Sequence, residues 1–377
     1  MSRSTVGINL LWLVPGEVGG SEQSTLATLR GLIDLRPDDL DLRLFVLPAF
    51  AAAHPDLVAA IQTEVSSVTG GSRVRRIVDE STWLARRSAA LDLVHHAGGT
   101  VPARRPAPCV LTIHDLQPLE ASATHSAIKR AYLARAVPVA VRAARRVAVP
   151  SAFVRGTVLD RLGTPTDKVV VIPHAVPVRP SPTPAATLVA RHALTGPVVL
   201  YAAVTYPHKD HRTLVQAFAQ LRATRPDAVL VLPGGEGEAE GELRRLIDAD
   251  LDGLGRSVRR LGRVSEADLA GLLDLATVVA VPSRYEGFGL PALEAMAAGV
   301  PVVAADVAAL PEVLGGAGVL VPPGDVAGWA AALERLLADP DERSRLVRVG
   351  SERAAGHTAA ANAGAFADLY RAALAAG

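Results

Sequence analysis

The sequence predicts an α/β protein made of two parallel β-sheets, each covered by helices on both faces. Short apolar runs alternate with longer amphipathic segments along most of its 377 residues. Strands that are apolar on both sides are typical of parallel sheets buried between helices. The alternation is interrupted at Pro177–Pro184, where four prolines in eight residues exclude a helix and a central strand. The length and the interruption together fit two domains joined by a stiff linker.

Before the proline segment, the pattern gives five strands with helices between them. Each strand is a short, continuous apolar run, and each helix is a longer segment in which apolar residues recur every three or four positions. The predicted strands are Val6–Val14, Leu42–Pro48, Cys109–Asp115, Val147–Pro150 and Val169–Pro173, and the predicted helices are Ser21–Leu35, Ser126–Ala144 and Ser151–Leu162.

After the proline segment, the same alternation starts again and closes with three helical patterns. The predicted strands are Val198–Val204, Ala228–Pro233, Val258–Leu261, Thr277–Pro282 and Pro301–Ala305. The predicted helices are Thr213–Ala223, Glu240–Ala249, Ser265–Leu275, Pro291–Ala298, Val326–Leu337, Asp341–Ala355 and Ala359–Ala376.

These patterns predict two Rossmann-like lobes whose parallel sheets face a central cleft. We place the lobes at residues 1–180 and 181–357, and we expect a C-terminal helix at 358–377 to pack back towards the first lobe. In wound sheets of this kind, ligands bind beyond the carboxyl ends of the strands. The loops that follow strands are therefore where we expect functional residues.

Composition and charge exclude several classes of protein. The formal net charge is only +1, which argues against nucleic-acid binding. Basic residues outnumber acidic ones in residues 1–180, and acidic residues outnumber basic ones in the rest of the chain. The basic first part could bind an anionic membrane surface or an anionic acceptor, or the difference could be ordinary surface variation. The single cysteine, Cys109, excludes a disulfide framework. No signal-peptide pattern and no apolar stretch of about 20 residues is present, so we expect a cytoplasmic protein, with peripheral membrane contact left open.

The loop after the strand Thr277–Pro282 combines several features of an anion-binding site. Its sequence, EGFGLPALE, spans Glu286–Glu294 and opens a helix. Glycines in this loop let the backbone approach a ligand closely. The backbone N–H groups near Phe288, Gly289 and Leu290 precede the helix N-terminus, where they and the helix dipole favour an anion. The two glutamates at its ends would flank a bound diphosphate on its sugar side and its ribose side.

This stretch resembles the E-x7-E signature of family 4 glycosyltransferases of the GT-B fold. The resemblance covers VPSRYEGFGLPALEAMAAGVPVVA (Val281–Ala304), LPEV (Leu310–Val313) and the turn Gly318–Asp325, and extends more loosely to the first lobe. It implies that Glu286 contacts the transferred sugar and that Glu294 contacts the ribose. It also implies a retaining transfer and an acceptor-binding first lobe.

A second candidate site is YPHKDH, Tyr206–His211, after the strand Val198–Val204. Lys209 can neutralise a diphosphate as a point charge. Members of the resembling family commonly have an arginine five residues before this lysine, and this sequence has Val204 there. The sequence leaves open whether His208, Arg212 or Arg284 replaces that arginine.

Two further candidates lie in the first lobe. GGSE places Gly19 and Gly20 before a helix, with Ser21 as the expected N-cap, so that free N–H groups face an anion or the acceptor. TIHDL places His114 at the carboxyl end of a strand, and by resemblance it positions the donor sugar or the acceptor. The preceding stretch HHAGG, His95–Gly99, is expected to line the same cleft.

Two glycine-containing loops are the expected nucleotide site. GGEG, which contains Gly235, follows a strand, and GRVS, which contains Val264, resembles the base-binding segment of the family. No metal site is expected. The pairs Asp39/Asp41 and Asp248/Asp250 match D-x-D but lie away from the strand ends of the proposed site.

The sequence therefore predicts a metal-independent hexosyltransferase with no cofactor. It would move a hexose, such as mannose or glucose, from a nucleotide-sugar donor to a glycan, lipid-linked or small-molecule hydroxyl acceptor. Two alternatives share the fold. A nucleotide-sugar epimerase would convert the donor without an acceptor, and an inactive two-lobed binding protein would bind the donor without turnover. We recognise no sequence pattern that identifies the donor base, the sugar, the acceptor or the oligomeric state.

Overall fold

The computed structural model describes residues 3–117, 127–249 and 251–376. The chain divides into two compact units. Unit 1 contains the residues up to Pro177 together with His357 and the C-terminal helix, and unit 2 runs from Val178 to Gly356. The chain thus passes from unit 1 to unit 2 within the proline segment and returns to unit 1 before its last helix.

Unit 1 is built on a seven-stranded sheet with the strand order β3-β2-β1-β4-β5-β6-β7. All neighbouring strands pair in parallel. Its strands are β1 Ser4–Asn9, β2 Leu40–Val46, β3 Gln62–Val65, β4 Leu93–His96, β5 Cys109–Thr112, β6 Arg146–Val149 and β7 Val169–Val171.

Unit 2 is built on a six-stranded sheet with the order β10-β9-β8-β11-β12-β13, again entirely parallel. Its strands are β8 Val198–Leu200, β9 Val229–Pro233, β10 Val258–Gly262, β11 Ala276–Val281, β12 Val302–Ala305 and β13 Val319–Val321. The two parallel Rossmann-like sheets predicted from the sequence are confirmed.

Helices connect the strands in both units. None of those in the described ranges is long and apolar enough to cross a bilayer. The helices of unit 1 are α1 Gly20–Leu35, α2 Pro48–Ala53, α3 Pro55–Ala60, α4 Arg73–Asp79, α5 Ala85–Arg87, α6 Ala127–Ala143 and α7 Ala152–Leu162, and Ser126, the predicted start of α6, lies outside the described residues. In unit 2 they are α8 Ala185–His192, α9 His211–Leu221, α10 Glu240–Asp248, α11 Glu266–Leu275, α12 Leu290–Ala297, α13 Leu310–Leu314, α14 Val326–Ala338 and α15 Pro340–Ala355, and α16 Ala359–Ala375 returns to unit 1.

The first strand is shorter than its apolar run suggests. β1 ends at Asn9, whose side-chain oxygen accepts a hydrogen bond from the Leu11 N–H at 3.1 Å and turns the chain. Leu10, Leu11 and Leu13 are nevertheless fully buried. An apolar run that continues into a buried turn looks like a longer strand, so the prediction Val6–Val14 was wrong at both ends.

Helix α16 belongs to the core of unit 1. Its Asn362 accepts a hydrogen bond from Thr28 Oγ1 at 2.7 Å and donates to the Pro173 carbonyl at 2.7 Å. Helix α1 approaches α16 closely at Gly31, where a Cβ atom would lie 2.5 Å from the Ala359 carbonyl oxygen and 2.9 Å from Ala363 Cβ. A glycine at this position is therefore needed for the two helices to pack.

Replacing Gly31 tests this packing. We expect Gly31→Ala to lower the free energy of unfolding by about 1–3 kcal/mol, because the added methyl group overlaps the α16 backbone. Gly364→Ala, in α16 itself, is the matched control, since nothing lies within 4 Å of its Cβ position. That variant should be more stable by about 0.5–1 kcal/mol through helix propensity. Urea unfolding of both variants measures the difference, and equal stabilisation by both would contradict the close approach.

Candidate active site

The two charged residues predicted from separate motifs meet in unit 2. Lys209 Nζ and Glu286 Oε1 are 2.6 Å apart, and their side chains are only 19% and 12% exposed. Lys209 lies in the loop after β8, and Glu286 lies in the loop after β11. Because β8 and β11 are adjacent and parallel, their carboxyl ends lie at the same edge of the sheet. The topology therefore brings these side chains into one ion pair.

Further bonds join the same two loops. The Arg284 N–H donates to the His208 carbonyl at 2.7 Å, and Arg284 Nε donates to Asp210 Oδ2 at 2.8 Å. Asp210 also caps α9 by accepting from Thr213 N and Oγ1. Arg284, one of the cations that could replace the missing arginine at position 204, is thus paired with Asp210. Another, Arg212, pairs with Glu242 at 3.1 Å on an exposed surface.

The N-terminus of α12 presents free backbone donors. Gly289 is its N-cap, with a φ of 101° that favours glycine, and no side chain caps the helix. Within the described ranges, the N–H groups of Gly289 and Leu290 have no hydrogen-bond partner. The side chains of Phe288 and Leu290 are buried, so these residues can offer a ligand only their backbone. Free N–H groups at a helix N-terminus can bind an anion, and anion binding at this position stays a prediction.

Glu294 lies on the second turn of α12; the residue as a whole is partly exposed, but its carboxyl group is enclosed by protein. Its carboxyl oxygens have no hydrogen-bond partner among the residues described. Burial raises the pKa of Glu294 to about 7, while Arg179 acts to lower it and Glu266 to raise it. The carboxylate is therefore a vacant hydrogen-bond acceptor that can bind the hydroxyl groups of a ligand.

The predicted nucleotide loops are fixed by a charge network. The Arg260 guanidinium donates to the Gly235 carbonyl at 3.1 Å and pairs with Glu240 at 2.9 Å. The Arg263 side chain lies against Gly235, where a Cβ would be 3.1 Å from its Nε. Val264, next in the chain, is half-buried. Arg260 and Glu240 were not identified from the sequence. The position of Arg260 inside a predicted strand could have indicated a charged residue with a buried partner.

The glycine turn of unit 1 differs in detail from its prediction. Helix α1 begins at Gly20, and its N-cap is Gly19 with a φ of 68°, so Ser21 is not the cap. The Glu22 carboxylate folds back to accept the Gly16 N–H at 2.9 Å. Within the described ranges, the N–H groups of Gly19 and Gly20 have no partner. These two donors are exposed at a helix N-terminus that no side chain caps.

His114 is a neutral imidazole enclosed in unit 1. Its Nε2 donates to the Ala97 carbonyl at 3.0 Å, and its ring packs 5.8 Å from Trp12 and 5.7 Å from His174, between ring centroids. Burial lowers the pKa of His114 to about 4. Its Nδ1 is buried without a hydrogen-bond partner among the described residues. His114 can therefore accept a hydrogen bond at Nδ1, but it is not an imidazolium acid near neutral pH.

The neighbouring histidines are structural. His95, in β4, hydrogen-bonds Tyr370 OH at 2.9 Å and Thr112 Oγ1 at 2.7 Å, and His96 contacts Asn9 at 3.1 Å. Both side chains are buried. The prediction that these histidines line a ligand cleft was wrong, because their polar atoms hold β4 to its neighbours instead.

Asp39, from the first aspartate pair, is engaged with an arginine. Both carboxylate oxygens of Asp39 accept hydrogen bonds from Arg371 at 2.8 Å. Asp250 lies outside the described residues. In the part of the chain that the structure describes, no three His, Cys, Asp or Glu side chains are grouped so that they could hold a metal ion.

Comparison with known proteins identifies the family. The model for glycosyl transferases group 1 matches residues 196–339, and that for Glycosyltransferase Family 4 matches residues 18–179. The O-antigen chain mannosyltransferase B of Escherichia coli is 31% identical over 67% of this chain and 67% of its own length. The chain belongs to the group 1, family 4 glycosyltransferases.

Other relatives of this glycosyltransferase are consistent with that assignment. A D-inositol 3-phosphate glycosyltransferase of Kineococcus radiotolerans is 36% identical over 62% of this chain and 58% of its own length. A crystal structure of Anabaena Alr3699/HepE in complex with UDP and glucose has a TM-score of 0.76 at 21% identity, and covers 98% of this chain and 100% of that one. The structural likeness confirms the predicted GT-B fold.

In this glycosyltransferase, the predicted residues are divided between the units. Lys209, Gly235, Val264, Glu286, Gly289 and Glu294 lie at the carboxyl edge of the unit 2 sheet, with the backbone of Phe288 and Leu290, and Gly19, Gly20 and His114 lie in unit 1. The Lys209–Glu286 pair, the α12 N-terminus and Glu294 together provide one ammonium group, two free N–H groups and two carboxyl groups. That set can bind an anionic group joined to hydroxyl-bearing groups.

The raised pKa of Glu294 gives a test of its burial. Its folded pKa of about 7 exceeds the ordinary value of 4.5, so the folded chain retains a proton that the unfolded chain releases between these values. The stability that protonated Glu294 contributes is lost as the pH rises through this window. Glu294→Gln should therefore gain about 1–3 kcal/mol in unfolding free energy relative to the unsubstituted protein between about pH 5 and about pH 8.

Urea unfolding across this pH range measures the gain. Glu352→Gln controls for the removal of one carboxylate, because Glu352 is exposed on α15, where it pairs with Arg348 at 3.2 Å. A difference between Glu294→Gln and the unsubstituted protein that stays constant with pH would contradict the burial of Glu294.

Proposed function

We propose that this glycosyltransferase moves a hexosyl group from a nucleoside-diphosphate sugar to a hydroxyl acceptor, with retention of anomeric configuration and without a metal. The single observation that carries the proposal is the Lys209–Glu286 pair beside the α12 N-terminus. A donor of this class has a diphosphate between a sugar and a ribose. Along the segment Glu286–Glu294, the N–H donors of the α12 N-terminus lie between the two glutamates. This order matches the donor, with the diphosphate at the N–H groups, the sugar at Glu286 and the ribose at Glu294.

The relatives support a hexose donor. Their names include a mannosyltransferase and a glycogen synthase, and the HepE crystal contains UDP and glucose. The D-inositol 3-phosphate glycosyltransferases suggest that a phosphorylated polyol is one acceptor class to include in assays. We extend these properties to this chain as part of the proposal.

The proposed mechanism begins with an exchange of partners at Lys209. The diphosphate displaces Glu286 from the Lys209 ammonium group, and the Gly289 and Leu290 N–H groups bind the phosphate oxygens. Glu286 is then free to accept a hydrogen bond from the transferred sugar, and Glu294 from the ribose. Once this exchange is made, the Lys209 ammonium group and the two N–H groups are in place before the bond breaks, so they stabilise the leaving diphosphate without further reorganisation.

In the transfer step, the bond between the sugar C1 and the diphosphate oxygen breaks. A new bond forms from C1 to the acceptor oxygen on the same face of the sugar. The acceptor proton passes to the leaving diphosphate oxygen, which is the strongest base created by the reaction. The ammonium group of Lys209 and the dipole of α12 supply the positive charge that a metal ion would otherwise provide.

A thermal-shift screen of nucleotide-sugars tests the function. A donor at about 100 times its dissociation constant should stabilise the protein by about 2.7 kcal/mol. The donor that stabilises most is then incubated with a panel of hydroxyl acceptors, including inositol phosphates, with and without EDTA. Retention predicts a product with the anomeric configuration of the donor by proton NMR. An inverted product, or loss of activity with EDTA, would contradict those parts of the proposal, and donor conversion without an acceptor would favour an epimerase.

Separate variants of the ion pair should divide binding from transfer. Lys209→Met should weaken binding of the nucleoside diphosphate by about 10- to 100-fold, because it removes one charge-assisted hydrogen bond. Glu286→Gln should strengthen diphosphate binding, because it frees Lys209 and removes a nearby negative charge. It should also slow transfer by at least about tenfold, since the sugar loses an ionic acceptor.

Isothermal titration with the nucleoside diphosphate and initial transfer rates measure these effects. Arg212→Met and Glu242→Gln are the matched controls, because they remove the two ends of an exposed ion pair in the same unit. We expect both controls to bind the diphosphate as the unsubstituted protein does. Weaker diphosphate binding by Glu286→Gln would show that the pair does not compete with the donor.

Restoring the missing arginine gives a gain-of-function test. Val204 is half-buried in the loop after β8 and occupies the position where related enzymes commonly have an arginine. Val204→Arg should strengthen nucleoside diphosphate binding by about tenfold through a second cation on the phosphates. Val204→Met, of similar reach but uncharged, is the control, and equal affinities for both variants would contradict a diphosphate at this position.

A further inference from the structure

We infer that Tyr201 is a positioning residue that holds Lys209 in place for the diphosphate of the donor. The inference rests on the proposed function, because it names a residue that acts through Lys209. Tyr201 directly follows β8 and is only 1% exposed. Its ring is buried and packs against the His211 ring at the start of α9, 4.8 Å between centroids, and its hydroxyl group reaches the loops at the edge of the sheet.

The hydroxyl group of Tyr201 connects the two loops that carry the ion pair. It donates a hydrogen bond to the backbone carbonyl of Lys209 at 2.9 Å, and it lies 3.0 Å from Ser283 Oγ. Ser283 is fully buried and precedes Glu286 by three residues. One oxygen atom thus contacts the backbone of the loop with the ammonium group and a side chain of the loop with the carboxylate.

The backbone at Lys209 leaves little freedom once this bond is made. Lys209 ends the short 3₁₀ turn Pro207–Lys209, and the next residue, Asp210, has a φ of 48° in the left-handed region. Asp210 is held there by Thr213 and Arg284. With the carbonyl of Lys209 fixed by Tyr201, the Lys209 side chain leaves the backbone in one direction, towards Glu286.

Burial makes the tyrosine a dependable donor. Burial, with a smaller effect from the negative charge of Glu286, raises the pKa of Tyr201 well above its ordinary value. The phenol therefore keeps its proton throughout the range in which the enzyme would work. A neutral hydroxyl can donate to one partner and accept from another, which is what a bridge between two loops requires.

Val204 stands where the family commonly has an arginine, and this makes the position of Lys209 more important for diphosphate binding. Without an arginine at that position, the diphosphate depends more strongly on the single ammonium group of Lys209. A displacement of that group by a fraction of a bond length weakens a charge-assisted hydrogen bond, whose energy depends steeply on distance and angle. An enzyme with two cations would tolerate such a displacement better.

The competing explanation is that Tyr201 is only a satisfied core residue, since buried tyrosine hydroxyls usually find a partner. Tyr370 provides a matched control for that explanation. It is also fully buried, and its hydroxyl hydrogen-bonds His95 Nδ1 at 2.9 Å in unit 1. Tyr201→Phe and Tyr370→Phe each remove one buried, hydrogen-bonded oxygen, so a structural role predicts similar behaviour for the two variants.

The test measures binding of UDP, GDP, ADP and dTDP by isothermal titration, and then compares variants with the nucleotide that the unsubstituted protein binds most tightly. Tyr201→Phe should weaken that binding by about tenfold, through misplacement of one contacting group. Tyr370→Phe should change it less than about twofold. In a Lys209→Met background, Tyr201→Phe should have no further effect, because its action passes through Lys209.

Each outcome decides the inference. Equal affinity of Tyr201→Phe and the unsubstituted protein would overturn it and leave the proposed function intact. So would an undiminished effect of Tyr201→Phe in the Lys209→Met background. If the unsubstituted protein binds none of the four nucleotides, the proposed function is overturned, and the inference with it. Thermal unfolding of every variant identifies any loss of affinity that is caused by unfolding.

Discussion

The site depends on an ion pair that is largely withdrawn from water. Lys209 and Glu286 are each less than one-fifth exposed, and their charged atoms are 2.6 Å apart. Removing a charge from water is costly unless an opposite charge and hydrogen bonds compensate. The ammonium group therefore needs an anionic partner at all times. In the free protein Glu286 is that partner, and in the proposed mechanism the diphosphate of the donor takes its place.

Hydrogen bonds from polar side chains, most of them buried, fix the loops around that pair. Tyr201 contacts both loops of the ion pair, Arg284 joins them again through His208 and Asp210, and Arg260 holds the glycine loop after β9. These groups cannot move without leaving a buried donor or acceptor unpaired. Among the described residues, the N–H groups of Gly289 and Leu290 and the carboxyl group of Glu294 are not paired in this way. The backbone of the loops is thus held in place while these groups remain available to a ligand, and preorganised groups of this kind are what electrostatic catalysis requires.

The sequence predicts the parts of this site that follow from periodicity. Parallel strands end at a common edge, so Lys209 and the Glu286–Glu294 loop could be expected at one edge of a sheet. Their direct contact could not, because it depends on the side-chain directions of residues far apart in the chain. Tyr201 was missed because it looks like one more apolar strand residue, and only its hydroxyl partners reveal its contact with Lys209.

Local chemistry explains the other differences between prediction and structure. Ser21 has the residue type of an N-cap, yet Gly19 takes that position because the chain turns there with a positive φ. β4 was missed because its four residues include two histidines, whose polarity hides a buried strand. These histidines can be buried because they hydrogen-bond to residues elsewhere in unit 1, among them Tyr370 and Asn9. A single sequence does not show those partners.

A crystal structure of the protein with its preferred nucleoside diphosphate bound would test most directly whether Lys209 and the α12 N-terminus bind the diphosphate. We predict that a phosphate oxygen lies within hydrogen-bond distance of Lys209 Nζ and of the Gly289 or Leu290 N–H, with Glu294 on the ribose hydroxyls and Glu286 released from Lys209. A nucleotide bound elsewhere, with Lys209 still paired to Glu286, would contradict the account.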